Sequence, residues 1–425
     1  MYRAAAGGVA ALLLLASYGT CAAQAGSTVR AVDAPARVRI DKDRIDAALA
    51  EMVASGRAAG VSALVWQDGA ERYFGVAGSA DREANRPMRR DAIVQIYSMT
   101  KPITGVALMQ LWEQGRFGLD DPLARHLPEF AEVRVLDAAT GATRPPSRPI
   151  LVRDILRHTA GFSYGQEPHF DRAAPLALEN DLAEMGRRLG GLPLMYDPGA
   201  EWRYSVAVDV QALLVERLSG MPFEAYVRTH ILEPLAMRET GWTQPPERLP
   251  RLAATYVRGP GGLTRQDDSI TRMLNFAPKK MTMGGAGLAG PIDDYMRFAR
   301  MLLNEGSLDG VRILRPSTVR LMATDQLDPA MTPRHFLPSK GQVGFGFDFA
   351  VRTARPKTPD ENRGAVGEFF WDGAQSTLFW VDPANRLTAV FFVQTIPFDG
   401  TLHRDIRAAV YGPDYLGPVG DERRP

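Results

Sequence analysis

Apolar side chains recur at Ile45, Ala48, Leu49, Met52 and Val53, a spacing that predicts one amphipathic helix, with Asp41 or Asp43 to cap its start and Gly56 near its end. The pattern then changes. Val61-Ser62-Ala63-Leu64-Val65-Trp66 and Arg72-Tyr73-Phe74-Gly75-Val76 are short apolar-rich runs on either side of Asp68-Gly69, which predicts a hairpin. Near the other end, Thr377–Val381 and Leu387–Val393 flank Asp382-Pro383-Ala384-Asn385, again two strands around a turn, and helical spacing returns from about Leu402 to Val410. Between these ends Ile103–Gln114, Val152–Arg157, Val208–Leu218 and Phe223–Ile231 lack strand alternation and predict helices. Pro-rich stretches such as Thr143–Pro149 separate them.

Strands at both ends with helices between them predict an α+β fold: an antiparallel sheet completed by N- and C-terminal segments, packed on helices, with a mostly helical domain inserted. The expected division is 26–115 with 285–425 for the α/β part and 116–284 for the helical part, with a ligand cleft between the two. There is no internal repeat.

Composition narrows the function. Of 425 residues 45% are hydrophobic and 23% charged, enough apolar material for a large core, and 50 basic against 49 acidic residues leave a formal charge of +1 with no long basic run. Nucleic acid is therefore not an expected partner. Met1-Tyr2-Arg3 followed by apolar Ala4–Ser17 and then Ala23-Gln24-Ala25 reads as a signal peptide, 1–25, cleaved after Ala25, which leads us to expect a periplasmic or secreted protein without stable membrane insertion. The single cysteine, Cys21, would leave with that segment, which excludes a disulfide framework, a thiol nucleophile and a cysteine metal site in the mature chain. The six histidines form neither H-x-x-x-H nor H-E-x-x-H, so we expect no metal and no other cofactor.

Candidate chemistry starts at Ser98-Met99-Thr100-Lys101-Pro102, ahead of an apolar helix that stops at Gly115. At i and i+3 a serine hydroxyl and a lysine ammonium share a helix face, and burial would lower the lysine pKa so that it can accept a proton. Ser98 would also stand at a helix N-terminus, where backbone N–H groups favour an oxyanion. A serine N-cap beside a solvated lysine has the same spelling. A second feature is Glu201-Trp202-Arg203-Tyr204-Ser205-Val206 after Asp197-Pro198-Gly199. A tyrosine here, if near a lysine, could hold its phenol partly ionised; the alternative is a core tyrosine beside Trp202.

Taken in order, Ser98-x-x-Lys101, Leu156-Arg157-His158-Thr159-Ala160-Gly161, Tyr204-Ser205-Val206, Gly284-Gly285-Ala286-Gly287-Leu288 and Trp371-Asp372-Gly373-Ala374 resemble the serine β-lactamase-like family, from about residue 45 to 395. Within it the chain looks closest to the family VIII carboxylesterases, which are related to class C β-lactamases and D-alanyl-D-alanine peptidases. The resemblance implies that Ser98 attacks an ester or amide carbonyl while Lys101 and Tyr204 move its proton, and that water then releases the acyl-enzyme. It places the oxyanion hole at the backbone N–H groups of Ser98 and Ala374, and substrate contacts at Trp371, Gly373 and Val206. Two positions depart from the class C pattern: Val206 stands where asparagine is usual, and Trp371 where lysine is usual. A lysine would attract a carboxylate, whereas tryptophan offers an apolar wall, so a small-molecule neutral ester is the expected substrate. The alternatives are a β-lactamase or peptidase-type amide hydrolase, and a binding or sensor protein that turns over nothing.

Two motifs compete with this site. Gly161-Phe162-Ser163-Tyr164-Gly165 fits the G-x-S-x-G nucleophile elbow, but the preceding residues read as a helix where a strand is required, and His403, the late histidine it would recruit, falls in a helix whose neighbours suggest a surface position. Gly285–Gly290 fits G-x-G-x-x-G, yet no apolar strand leads into it. His158 is expected to hydrogen-bond backbone in its turn.

Overall fold

Asp41 opens the first helix as its position suggests: its carboxylate accepts from the Arg44 N–H at 3.1 Å, and α1 (Lys42–Ala54) turns Ile45, Leu49 and Met52 inward. The computed structural model describes residues 38–165, 167–358 and 360–415. The expected signal peptide and Cys21 lie outside them. After α1 come β1 (Gly60–Gln67) and β2 (Ala70–Asp81), joined by Asp68 and Gly69 at φ of 52° and 76°, the left-handed pair that a two-residue hairpin turn requires. The described residues all fall in one compact unit. No described helix is long and apolar enough to cross a membrane.

One eight-stranded antiparallel sheet is built from both ends of the chain. β3 (Arg86–Pro87) completes the N-terminal share, and β4 (Val343–Phe345), β5 (Ala350–Arg352), β6 (Phe369–Asp372), β7 (Leu378–Asp382) and β8 (Leu387–Val393) form the C-terminal share, in the order β4-β5-β6-β7-β8-β1-β2-β3. The ends meet where β1 pairs with β8, Val61 opposite Val393 through Gln67 opposite Leu387. All seven residues of β8 are buried, because helices cover both faces of the sheet. Neighbouring residues of β7 show this: Phe379 meets Tyr295 of α5 (Ile292–Leu303) at 5.0 Å between ring centres, while Trp380 lies under the Arg407 guanidinium of α6 (Gly400–Tyr411).

The helices of the middle segment stand at the α5 face. α2 (Lys101–Glu113) is buried along most of its length and packs against α4 (Ala207–Ser219), which also packs against the short α3 (Val152–Leu156). The loop after α3 is fixed from below by Asp154, whose side chain is fully buried. It accepts from Arg148 at 2.6 and 3.0 Å, from Arg157 at 3.1 Å, from the Thr159 hydroxyl at 3.0 Å and from the Leu151 N–H at 2.9 Å. Removing a carboxylate that satisfies two arginines and a helix start leaves several donors without a partner. Asp154→Ala should therefore lower unfolding free energy by about 3 kcal/mol, which urea denaturation followed by circular dichroism will measure.

Candidate active site

The backbone enters the site under strain. Tyr97, just before the serine, has φ of 44°, and its phenol accepts from Gln375 Nε2 at 3.0 Å. Left-handed torsions at non-glycine residues are costly and gather where surrounding structure holds a functional side chain in place. Here Tyr97, His158, Asp348 and Ser376 all have positive φ. Residues Tyr97–Thr100 form a single 3-10 turn that runs directly into α2, so Ser98 and Lys101 fall on one side of a continuous helical start.

Lys101 Nζ lies 3.1 Å from Ser98 Oγ and donates to the Gly285 carbonyl at 2.6 Å. Its side chain is completely enclosed. Burial pushes its pKa down to about 8, against the opposing pull of Asp209, Asp348 and Asp372. None of those carboxylates bonds it directly: Asp209 accepts from the Gly285 N–H at 2.9 Å, and Asp348 accepts from Gln211 Nε2 at 3.1 Å. Burial raises the pKa of both acids, that of Asp348 well above the usual carboxyl range.

The Ser98 hydroxyl is also within hydrogen-bonding reach of the Tyr204 phenol. Lys101 Nζ sits 4.6 Å from the centre of the Tyr204 ring, and Trp371 Nε1 donates to the phenol oxygen at 3.1 Å. Burial raises the phenol pKa, and the bonds from Ser98 and Trp371 only partly offset it. This corrects the expectation of a partly ionised tyrosine: desolvation outweighs the neighbouring lysine, and Tyr204 is a neutral donor at ordinary pH.

Trp371 departs from the sequence expectation as well. It is 1% exposed, with its ring against Tyr204 and Phe345, so it holds Tyr204 rather than walling an open pocket. Val206 is fully buried at the start of α4 and offers a substrate no surface, which corrects its place among the substrate contacts. Gly373 is buried in the turn after β6, where a side chain would meet Thr377 Oγ1 at 2.2 Å and the Ile96 carbonyl at 2.6 Å. Only glycine allows that turn to close on the strand leading to Ser98. Ala374 is consequently exposed beside the serine's turn, and among the described residues neither its N–H nor that of Ser98 has an acceptor within the protein.

The competing motifs have structural roles. Ser163 lies in a loop, donates to Glu167 at 2.6 Å and accepts from the Gly165 N–H at 3.0 Å; α3 precedes it, with no strand leading in. The Gly-rich stretch supplies carbonyls, Gly284 to Thr104 and Gly285 to Lys101, before Ala289–Gly290 pairs with Val94–Gln95. His158 does bond backbone, but across to the tyrosine segment: Nδ1 accepts from the Ser205 N–H at 3.3 Å, and burial keeps the ring neutral. His403 is 4% exposed and faces inward from α6, contrary to the surface position expected.

Sequence reasoning missed Tyr164, Asp209, Asp348 and Phe336. Tyr164 sits inside the elbow-like motif and places its ring 5.3 Å from that of Tyr204. Phe336, 41% exposed, stands edge-on to Tyr204 at 5.4 Å. The acids did leave a signal, each being a lone carboxylate inside an apolar run, Val208-Asp209-Val210 and Phe347-Asp348-Phe349.

The chain matches the Beta-lactamase family over residues 45–411. It belongs to that family. Esterase EstB of Burkholderia gladioli is 33% identical over 398 residues, covering 87% of this chain and 94% of EstB. Among solved structures, EstCE1, a hydrolase with promiscuous acyltransferase activity, superposes with a TM-score of 0.72 at 28% identity, covering 87% of this chain and 98% of EstCE1. A simvastatin synthase (LovD6 mutant) from Aspergillus terreus gives a TM-score of 0.74 at 25% identity, over 87% and 93% of the two chains. The protein is thus a β-lactamase-fold member of a serine hydrolase family with esterase and acyltransferase homologues.

In this family member the Gly285 position is a sensitive test of the lysine's seat. A Cβ there would lie 2.9 Å from Asp209 Oδ2, 3.1 Å from the Tyr164 hydroxyl and 3.2 Å from Lys101 Nζ. Gly285→Ala should displace the amine by a fraction of an ångström and slow labelling of the protein by a fluorophosphonate at least about tenfold, with the circular dichroism spectrum unchanged. Intact-protein mass spectrometry over a time course measures the rate.

Proposed function

We propose that this protein hydrolyses neutral carboxylic esters through an acyl-enzyme on Ser98. One observation carries the reading: a buried lysine bonded only to the serine hydroxyl and to a main-chain carbonyl, with no carboxylate in contact to fix its charge. Neutral Lys101 takes the Ser98 proton as Oγ bonds to the ester carbonyl carbon. The N–H groups of Ser98 and Ala374 receive the oxyanion. Tyr204 gives its proton to the departing alkoxide as the C–O bond breaks, and the proton collected by Lys101 returns to Tyr204. Water then attacks the acyl carbon by the same steps in reverse roles and frees the acid.

Support comes from the neutral, buried Trp371 at Tyr204, which gives a carboxylate nothing to pair with, and from the likeness to Esterase EstB. Acyl transfer to an alcohol is a second reading. It is favoured by the exposed rings of Tyr164 and Phe336 beside Tyr204, a surface on which an apolar alcohol displaces water, and by the likeness to EstCE1. With a primary alcohol added to the assay, chromatography should show its ester alongside the free acid.

Ser98→Ala should abolish hydrolysis of 4-nitrophenyl butyrate and fluorophosphonate labelling, while Ser163→Ala leaves both largely intact; a Ser98→Ala protein hydrolysing at the parental rate refutes the assignment. The base must be unprotonated to act, and its pKa is about 8. Hence kcat/KM should rise about tenfold per pH unit at low pH and level off above roughly pH 8, which stopped-time assays across buffers will show.

A further inference from the structure

Behind Trp371 lies a cavity of about 470 Å³ that the steps above do not use, lined among others by Lys340, Gln342, Asn362, Phe398 and His403. Its volume suits a small organic group. Lys340 Nζ stands 5.5 Å from the Trp371 ring, 5.7 Å from that of Phe336 and 4.3 Å from that of Phe398. Of these rings Phe398 lines the cavity itself, and Phe336 and Phe398 are both more than two-fifths exposed.

The direction of the departing group follows from the proposed reaction. The carbonyl oxygen faces the N–H groups of Ser98 and Ala374, and the leaving oxygen must face the Tyr204 phenol, which is bonded to Trp371 Nε1. The alcohol portion of the ester therefore extends past the exposed ring of Phe336, which lies 5.4 Å from that of Tyr204 and 5.7 Å from Lys340 Nζ. At that inner end lies the neighbour of Trp371 on the opposite face of β6, Asp372, which is ion-paired with Lys340, both side chains being nine-tenths buried. His403 contributes no charge there. Its Nε2 donates to the Ser376 carbonyl at 2.8 Å, which leaves a lone pair on Nδ1, 3.8 Å from Asp372, and burial holds its pKa down to about 4. At the rim, Glu361 faces Gln342 and Arg404 faces Asp405.

We propose that this cavity receives the alcohol portion of the substrate and that the Lys340–Asp372 pair, by cancelling the charge at its inner end, makes the enzyme select esters of uncharged alcohols. The inference rests on the acyl-enzyme reading. Asp372 acts as a built-in occupant of the buried cation that would otherwise draw an anionic alcohol group, while the more exposed Arg404 is paired with Asp405. Unpaired, Lys340 is a largely desolvated ammonium in a small cavity, where a carboxylate bonds it far more strongly than in water.

The test compares 3-acetoxybenzamide with 3-acetoxybenzoate, which share the acetyl-enzyme and differ only in the charge on the departing phenol. Wild-type protein should favour the amide in kcat/KM. In Asp372→Asn that preference should fall by at least about tenfold, and the added substitution Lys340→Met should cancel the gain. Lys340→Met alone leaves the carboxylate unpaired and should widen the preference for the neutral ester. A preference within about twofold of wild type in Asp372→Asn and in Lys340→Met overturns the proposal, and either variant suffices if the other fails to fold. Failure of the underlying reading looks different: wild-type protein would turn over neither ester, or Ser98→Ala would turn over both.

Discussion

Enclosing the Lys101 ammonium away from water is the constraint on which the rest of the site depends. An exposed amine would stay protonated at neutral pH and could take nothing from Ser98. Here the chain removes solvent and supplies only two hydrogen-bonding partners, a hydroxyl and a carbonyl. The nearby acids could have reversed the effect. They do not, because they are buried too: Asp209 spends its carboxylate on the Gly285 N–H, and Asp348 is pushed toward its neutral form with one oxygen left without a partner. Burial therefore weakens both the charge on the lysine and the charges that would hold it there.

The fold supplies that enclosure by bringing distant segments to one helix start. Ser98 arrives on the turn that opens into α2 and Lys101 on the first residue of that helix, Gly285 on the loop before α5, Tyr204 on the loop before α4, and Trp371 on β6. Two glycines set the closeness of approach, Gly285 against the amine and Gly373 against the strand leading to Ser98. β6 also separates two environments by simple alternation. Trp371 points to the α5 face and holds the phenol, while Asp372 points to the α6 face and pairs with Lys340. One strand thus links the reacting groups to the cavity behind them without mixing their charges.

Much of this was legible in the sequence. The first helix, the Asp68-Gly69 hairpin, the two C-terminal strands and the last helix all stand where periodicity and turn residues put them, because each is a local pattern with a local cause. Strands β4 to β6 escaped detection: they are three or four residues long, too short to show a period, and entirely buried, so nothing alternates. The site shows the same division. Ser98, Lys101 and Tyr204 were recognisable as an ordered set and the structure brings them together, whereas the burial of Val206, the inward turn of His403 and the arrival of Lys340 from a separate loop depend on tertiary packing that no local pattern encodes.

Desolvation also decides how the tyrosine and lysine divide the work. A cation at position 371, on the phenol oxygen, would favour phenolate and let Tyr204 compete with Lys101 for the serine's proton. Tryptophan in that place donates one neutral hydrogen bond, too weak to offset the cost of burying a phenolate, so the phenol keeps its proton. The amine, for which burial favours the neutral state, becomes the acceptor. The same burial therefore drives the two groups in opposite protonation directions, raising the acid's pKa and lowering the base's, and it assigns their roles: Lys101 takes the proton as the serine attacks, and Tyr204 holds one ready for the group that leaves.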